Sequence, residues 1–382
     1  MFITVLNLLV TEVQIVFRSI VERMVIAHRM TKKSRILLYS LIPLLVLTAT
    51  ATSAQTVESI VGQVSQSQYQ AYQQSIENCG LGLYDSSYNQ GYRNRDGWLG
   101  GGSLGNQEAC LYLANEFANM GLDVTIQGNY SNVVAELKGS VTSENIYIVG
   151  AHYDTTSSGE RPGGDDNASG TAGVLEAARI LSQYSFESTI RFIGFNAEED
   201  WMKGSQDYVN SVVTSSENIV GMVNLDMILR PAWDDDPTEP VDLDITTSET
   251  ALCLEWANIF ISAANTYAPS LYIDSGTPNT YYWHASDQAP FIEAGFAAFM
   301  VSENTAGEIW SGSNAYYHSP EDASDGLAND PFSPSGVIYD YVFATDIVRT
   351  TVATLALQAV VIPEPATLML FGIGALLLRR RP

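Results

Sequence analysis

Positive charge is scarce in this chain: 18 Lys and Arg stand against 43 Asp and Glu over 382 residues, a net charge of -25. Half of those bases lie at the ends, six between Arg18 and Arg35 and three at Arg379, Arg380 and Arg381. Residues 55–361 hold nine bases and 40 acids, which argues against nucleic acid or anionic lipid as a partner and suits solubility instead. Cysteine is rarer still. Cys79, Cys110 and Cys253 are too few and too scattered for a CxxC metal site. There are four histidines, so any imidazole chemistry must come from very few positions. Long apolar runs are missing too: neither of the two terminal runs reaches the roughly 20 residues that span a membrane. What the chain has is 46% apolar and 10% aromatic residues, with a mean hydropathy of +0.02, and this excludes a disordered polyanion.

Both ends read as addressing segments. Residues 30–54, MTKKSRILLYSLIPLLVLTATATSA, have a basic start, an apolar stretch from Ile36 to Leu47 and small residues beyond it, the pattern of a secretory signal cut after Ala51 or Ala54. Residues 1–29 are then an upstream extension, since Met24 and Met30 are both usable starts. Export permits one disulfide, and Cys79 with Cys110 is the best-matched pair, leaving Cys253 as a buried free thiol. The far end, VIPEPATLMLFGIGALLLRRRP, joins a Pro363-Glu364-Pro365 triplet to about a dozen apolar residues and three arginines. It resembles the PEP-CTERM sorting signal of Gram-negative, exopolysaccharide-producing bacteria. The resemblance implies transient anchoring in the inner membrane as a transmembrane tail, with the arginines cytoplasmic. An exosortase would then cleave near the triplet and release the protein to the cell envelope or extracellular matrix. The expected domains are therefore 1–54, 55–360 and 361–382.

The middle of the chain alternates strand and helix patterns. A leading helix over 57–78, a Gly-, Tyr- and Asn-rich loop over 85–105 and an amphipathic helix over 107–120 come first. Strands are predicted at Val124, 133–137, 146–150, 189–195, 219–225 and 297–301. Helices are predicted over 170–184, 205–213, 249–264, 288–294 and 335–360. Short apolar strands with helical crossovers predict a single α/β domain with three layers, a mixed twisted sheet between helices.

Acids and histidines gather where those strands end. His152 closes the strand YIVGA and precedes Asp154 by two, so both side chains leave the same side of an extended chain, as a metal ligand and its supporting carboxylate would. PGGDDNASG places Asp165 and Asp166 side by side before a helix, where a cation or a helix cap is called for. TIRFIGF runs into Asn196-Ala197-Glu198-Glu199-Asp200, IVGMVNL ends at Asp226, and YYHSPED supplies His318. Strand carboxyl ends are where open α/β sheets bind ligands. His and carboxylate donors together suit zinc, and this many donors would serve two ions bridged by a carboxylate.

The stretches GAHYDT, PGGDDNASG, FNAEED, NLDM and YYHSPEDA together resemble the co-catalytic di-zinc aminopeptidases of metallopeptidase clan MH, over about residues 78–360. The resemblance implies that His152 and Asp226 bind one zinc, Glu199 and His318 the other, and Asp166 bridges them. It further implies that Asp154 orients His152 and that Glu198 is the general base in the hydrolysis of amino-terminal peptide bonds. Tyr317 is a candidate donor to the oxyanion. Ser286-Asp287-Gln288 departs from the family's Ser-Asp-His, without touching a ligand, and His284 is expected to be a pocket or surface residue. The alternatives are a carboxypeptidase or single-zinc glutaminyl cyclase of the same clan, or a catalytically idle scaffold in the exopolysaccharide matrix.

Overall fold

The computed structural model describes residues 57–97, 102–156, 159–230, 242–273, 277–312, 314–325 and 339–362. The proposed signal segment and the apolar tail lie outside the described residues. Eight strands form one mixed sheet: β1 (Asp123–Gln127), β2 (Asn132–Leu137), β3 (Thr142–His152), β4 (Ser188–Phe195), β5 (Asn218–Leu225), β6 (Asp242–Thr247), β7 (Tyr272–Ile273) and β8 (Ala298–Ser302). Their order is β1-β2-β4-β3-β5-β8-β6-β7. β4, β3, β5 and β8 run parallel at the centre, while β1 and β2 on one flank and β6 on the other join antiparallel.

Side-chain alternation divides the core into two. Tyr147, Val149, Ala151, Ile190, Phe192, Val223 and Leu225 face the larger layer, built from α1 (Gln66–Glu77), α2 (Leu104–Asn119), α3 (Ala168–Leu181), α5 (Ala251–Tyr267) and α8 (Tyr341–Gln358). Ile146, Ile148, Ile193, Phe195 and Met222 face the smaller one, with α4 (Lys203–Ser215) and α6 (Gln288–Glu293). Each fully buried side chain of this size contributes roughly 1.5–3 kcal/mol. The three-layer expectation holds.

Local chemistry corrects the expected elements at several points. The leading helix breaks at 62–65, where Gly62 interrupts it and Ser65 caps α1 by accepting the Gln68 N–H. Neither β6 nor β7 was expected, nor was α7 (Ala306–Ser311), which is framed by a reciprocal capping box between Thr305 and Glu308. The closing helix begins at Tyr341, because the Asp340 side chain accepts the N–H groups of Val342 and Phe343. The expected disulfide is absent: Cys79 and Cys110 are both free. The Cys79 thiol points at the Ser75 carbonyl and that of Cys110 at the Ser131 carbonyl.

Candidate active site

Three consecutive parallel strands deliver the cluster. β3 ends in His152 and runs on to Asp154, β4 leads to Glu198 and Glu199, and β5 leads to Asp226. Asp166 sits in the turn before α3. The helix cap there is Asn167, whose side-chain oxygen accepts the Gly170 N–H, so the two acids before it are not spent on capping. His318 enters from the segment after α7. Ala197, Met227 and His318 all hold left-handed backbone conformations, at φ of 57° each. Such residues cost about 1–3 kcal/mol apiece and are tolerated where the surroundings over-determine them, commonly at functional sites.

The donor atoms fall into two groups that share one residue. His152 Nε2 lies 3.3 Å from Asp166 Oδ1 and 3.4 Å from Asp226 Oδ1. His318 Nε2 lies 3.1 Å from Asp166 Oδ2 and 3.0 Å from Glu199 Oε2. Asp166 thus offers one oxygen to each group, and within each group the three donors lie within 4.8 Å of one another. All five sequence-predicted ligands meet here. His284 is exposed and stands apart, as expected.

Charge in the cluster is unbalanced. Burial alone would raise Asp166, yet its contacts with His152 and His318 hold it below the ordinary carboxylate range. Burial would lower His318, but Asp166 and Glu199 draw it up to about 10, and His152 rises for the same kind of reason. Glu199 is pushed up to about 7 by burial and by Asp166, against the pull of His318. Burial also raises Glu198 well above its usual range. The carboxylates force both imidazoles toward their cationic form, so the pocket demands positive charge, and a divalent cation meets that demand without protons. Glu199 Oε1 is buried with no hydrogen-bond partner, which is how a donor kept for a metal looks. Three carboxylates and two imidazoles are a donor set that suits zinc.

The supporting groups differ from those expected. Asp154 Oδ1 is 3.5 Å from His152 Nδ1, an ion-pair contact without a hydrogen bond, and its two oxygens also accept the main-chain N–H groups of Glu198 and Glu199 at 3.1 and 3.2 Å. One carboxylate therefore fixes the turn that presents both glutamates. Ser286, not singled out for this role, donates to Asp226 Oδ2 at 2.5 Å and receives a bond from Asn224. Gln288 bonds Asn224 and the Trp283 carbonyl, so the replacement of His at this position leaves the ligands untouched. Tyr317 stacks on the His318 ring at 3.7 Å between centroids, and burial with the neighbouring Asp166 and Glu199 raises its hydroxyl far above the usual phenol range.

A cleft of about 460 Å³ opens over the cluster, walled by Met227, Met300, Ile309 and Trp310 as well as by Glu198 and Tyr317. Residues 132–334, just over half of the chain, match the model of peptidase family M28. The chain belongs to peptidase family M28. Residues 361–381 match the PEP-CTERM protein-sorting motif. Among curated relatives of this M28 chain, a probable zinc metalloprotease of Pyrenophora tritici-repentis is 37% identical over 130 residues, 32% of this chain and 30% of the relative. Aminopeptidase YwaD of Bacillus subtilis is 29% identical over 200 residues, 52% of this chain and 40% of the relative. The M28 chain thus matches less than half the length of either. Among solved structures, the LapA aminopeptidase of Legionella pneumophila superposes with a TM-score of 0.62 at 20% identity, over 80% of this chain and 75% of that one. The glutaminyl cyclase of Porphyromonas gingivalis gives 0.57 at 16%, over 77% and 99%. At these identities the likeness is one of fold. Among the described residues no helix is long and apolar enough to cross a membrane.

Proposed function

We propose that this M28 chain is an exported aminopeptidase that holds two zinc ions and removes residues from peptides with a free amino terminus. The observation that carries the reading is the placement of Asp166, one oxygen toward His152 and Asp226 and the other toward His318 and Glu199. His152 and Asp226 would hold one ion and His318 and Glu199 the other. When bound, zinc supplies Lewis-acid polarisation of the scissile carbonyl and acidifies water. Glu198 lines the same cleft and stands outside both donor groups, so it is the group left to take the proton of the attacking water and pass it to the leaving amine. Tyr317, also in the cleft wall, would be the donor to the tetrahedral oxyanion. Asp154 holds the glutamate turn in register with β3. Residues 1–54 would direct export and 361–382 sorting by an exosortase, with the intervening residues forming the peptidase domain.

The test is a zinc count on the mature protein beside a panel of aminoacyl nitroanilides and their acetylated counterparts. Two zinc per chain, activity lost to chelation and no release from acetylated substrates are expected. A single zinc that added metal cannot raise, with cyclisation of amino-terminal glutamine, would point to the cyclase chemistry of the same fold. Two zinc with no cleavage of either nitroanilide set, but release of the last residue from acetylated peptides that end in a free carboxylate, would point to a carboxypeptidase, and no hydrolysis of any of these with metal bound would leave a scaffold.

A further inference from the structure

The turn that carries Asp166 is gripped from two sides. On one side Asp322, itself buried, accepts the N–H groups of Asp165 and Asp166 at 2.9 and 3.0 Å and receives the Tyr339 hydroxyl at 2.6 Å. On the other side is Arg95, the bulkiest fully buried side chain described. Its hydrogen bonds run to main-chain carbonyls: Nε to Tyr153 at 2.8 Å, Nη1 to Ile76 at 3.2 Å and to Pro162, and Nη2 to Gly163 at 3.0 Å. The Arg95 main chain adds to this, its N–H donating to Thr155 Oγ1 and its carbonyl receiving the Thr155 N–H and Asn106 Nδ2.

A buried guanidinium is expensive to desolvate and ordinarily faces a carboxylate. Here the rigid fork is spent on carbonyls of three segments: Ile76 in α1, the residue directly after His152, and the two residues three and four positions before Asp166. We propose that Arg95 is a positioning residue for the metal pair, fixing the separation of His152 from the bridging Asp166 by holding both carrier segments in one planar fork. The inference rests on the di-zinc reading above. Gly163 supports it: at φ 53° it has no room for a side chain, since a Cβ would stand 2.2 Å from the Asp166 carbonyl oxygen and 2.9 Å from Arg95 Nη2. The guanidinium can approach this turn only because a glycine lies there. Lysine has the charge but not the fork, so it can restore part of the contact set.

The experiment compares the full mature chain with Arg95→Lys, Arg95→Met and Gly163→Ala, and with Phe117→Leu as a remote core variant that lowers stability without touching this turn. Zinc affinity is read by competition with a fluorescent chelator, alongside the metal-free unfolding midpoint and the kcat and KM for leucine nitroanilide. Loss of a group that orients metal ligands typically costs about 10–100-fold in metal affinity. A loss of that size is expected for Arg95→Met, a smaller one for Arg95→Lys, and a fall in kcat with little change in KM for both. Phe117→Leu should lower the midpoint and leave zinc affinity unchanged. Wild-type zinc affinity in the folded Arg95 variants would overturn the proposal. If Arg95→Met does not fold, unchanged affinity in Arg95→Lys and Gly163→Ala would overturn it equally. A wild-type chain that binds no zinc would instead overturn the functional reading.

Discussion

The His152 side of the donor cluster and the His318 side share Asp166 but are built from different material. His152 ends a strand paired on both edges, its carbonyl receives the Thr171 hydroxyl at 2.6 Å, and its ring is 2% exposed. Its partner Asp226 is tied by its N–H to the Val301 carbonyl and by Ser286 to a side-chain oxygen. His318 comes from irregular chain after α7 in a left-handed conformation, and its ring is 33% exposed. Donors on adjacent parallel strand ends are set by the sheet before any ion arrives. A donor on a loop must be ordered as the ion binds, and that ordering subtracts from affinity. The two halves should therefore bind metal with unequal strength, the sheet-borne half more tightly.

The largest effect should come from a residue that belongs to neither half. Glu198→Gln is expected to keep both zinc ions and lose roughly 100- to 10,000-fold in turnover, as read by metal analysis beside steady-state kinetics. A variant that loses one zinc would mean the roles of Glu198 and Glu199 are reversed. Next comes the asymmetry itself. His318→Ala should lose one zinc and keep the tightly held one, whereas His152→Ala should lose the tightly held one and leave only the weaker site; equal affinity for the remaining zinc in the two variants would break the comparison. A smaller effect is expected from Ser286→Ala, which should weaken the tighter site alone by about tenfold and leave the looser one as it was. Smallest of all for hydrolysis is deletion of residues 363–382. It should leave kcat and KM unchanged while sending the enzyme to the periplasm or medium, as fractionation and assay would show.

The central strands were legible because a run such as IYIVGAH or TIRFIGF carries enough apolar residues to be read as a buried strand. The five candidate ligands were not legible one by one: a strand-end histidine or acid is weak evidence alone, and only the five motifs taken together, with their resemblance to the clan, single out His152, Asp166, Glu199, Asp226 and His318. The rest lay in relations between distant segments. Nothing near Ser286 announces that it will hold Asp226, 60 positions away, nor near Arg95 that its fork will reach residue 163. Period-two geometry puts Asp154 beside His152, and the carboxylate does lie 3.5 Å from His152 Nδ1, but its bonds to two main-chain N–H groups 44 and 45 residues on are a pairing only the fold creates. β6, reading DLDITT, has too few apolar positions to stand out, and its burial depends on β8 beside it. α7 does carry a signal, the Thr305 to Glu308 capping box, but its six residues are too few to show a helical apolar period beside it.

The exit of the closing helix is pinned beside β4. After α8 the chain lies against the segment entering β4: the Glu187 N–H reaches the carbonyls of Ala359 and Val360, and the Ile362 N–H reaches that of Ser185. That is the amino-terminal edge of the sheet, while the cleft lies beyond its carboxyl edge, past the other end of the same strand. Eight residues of β4 separate the two, about 25 Å of extended chain. Ile362, the second residue of the matched sorting motif, is therefore held at the edge of the sheet opposite the one that carries the cleft.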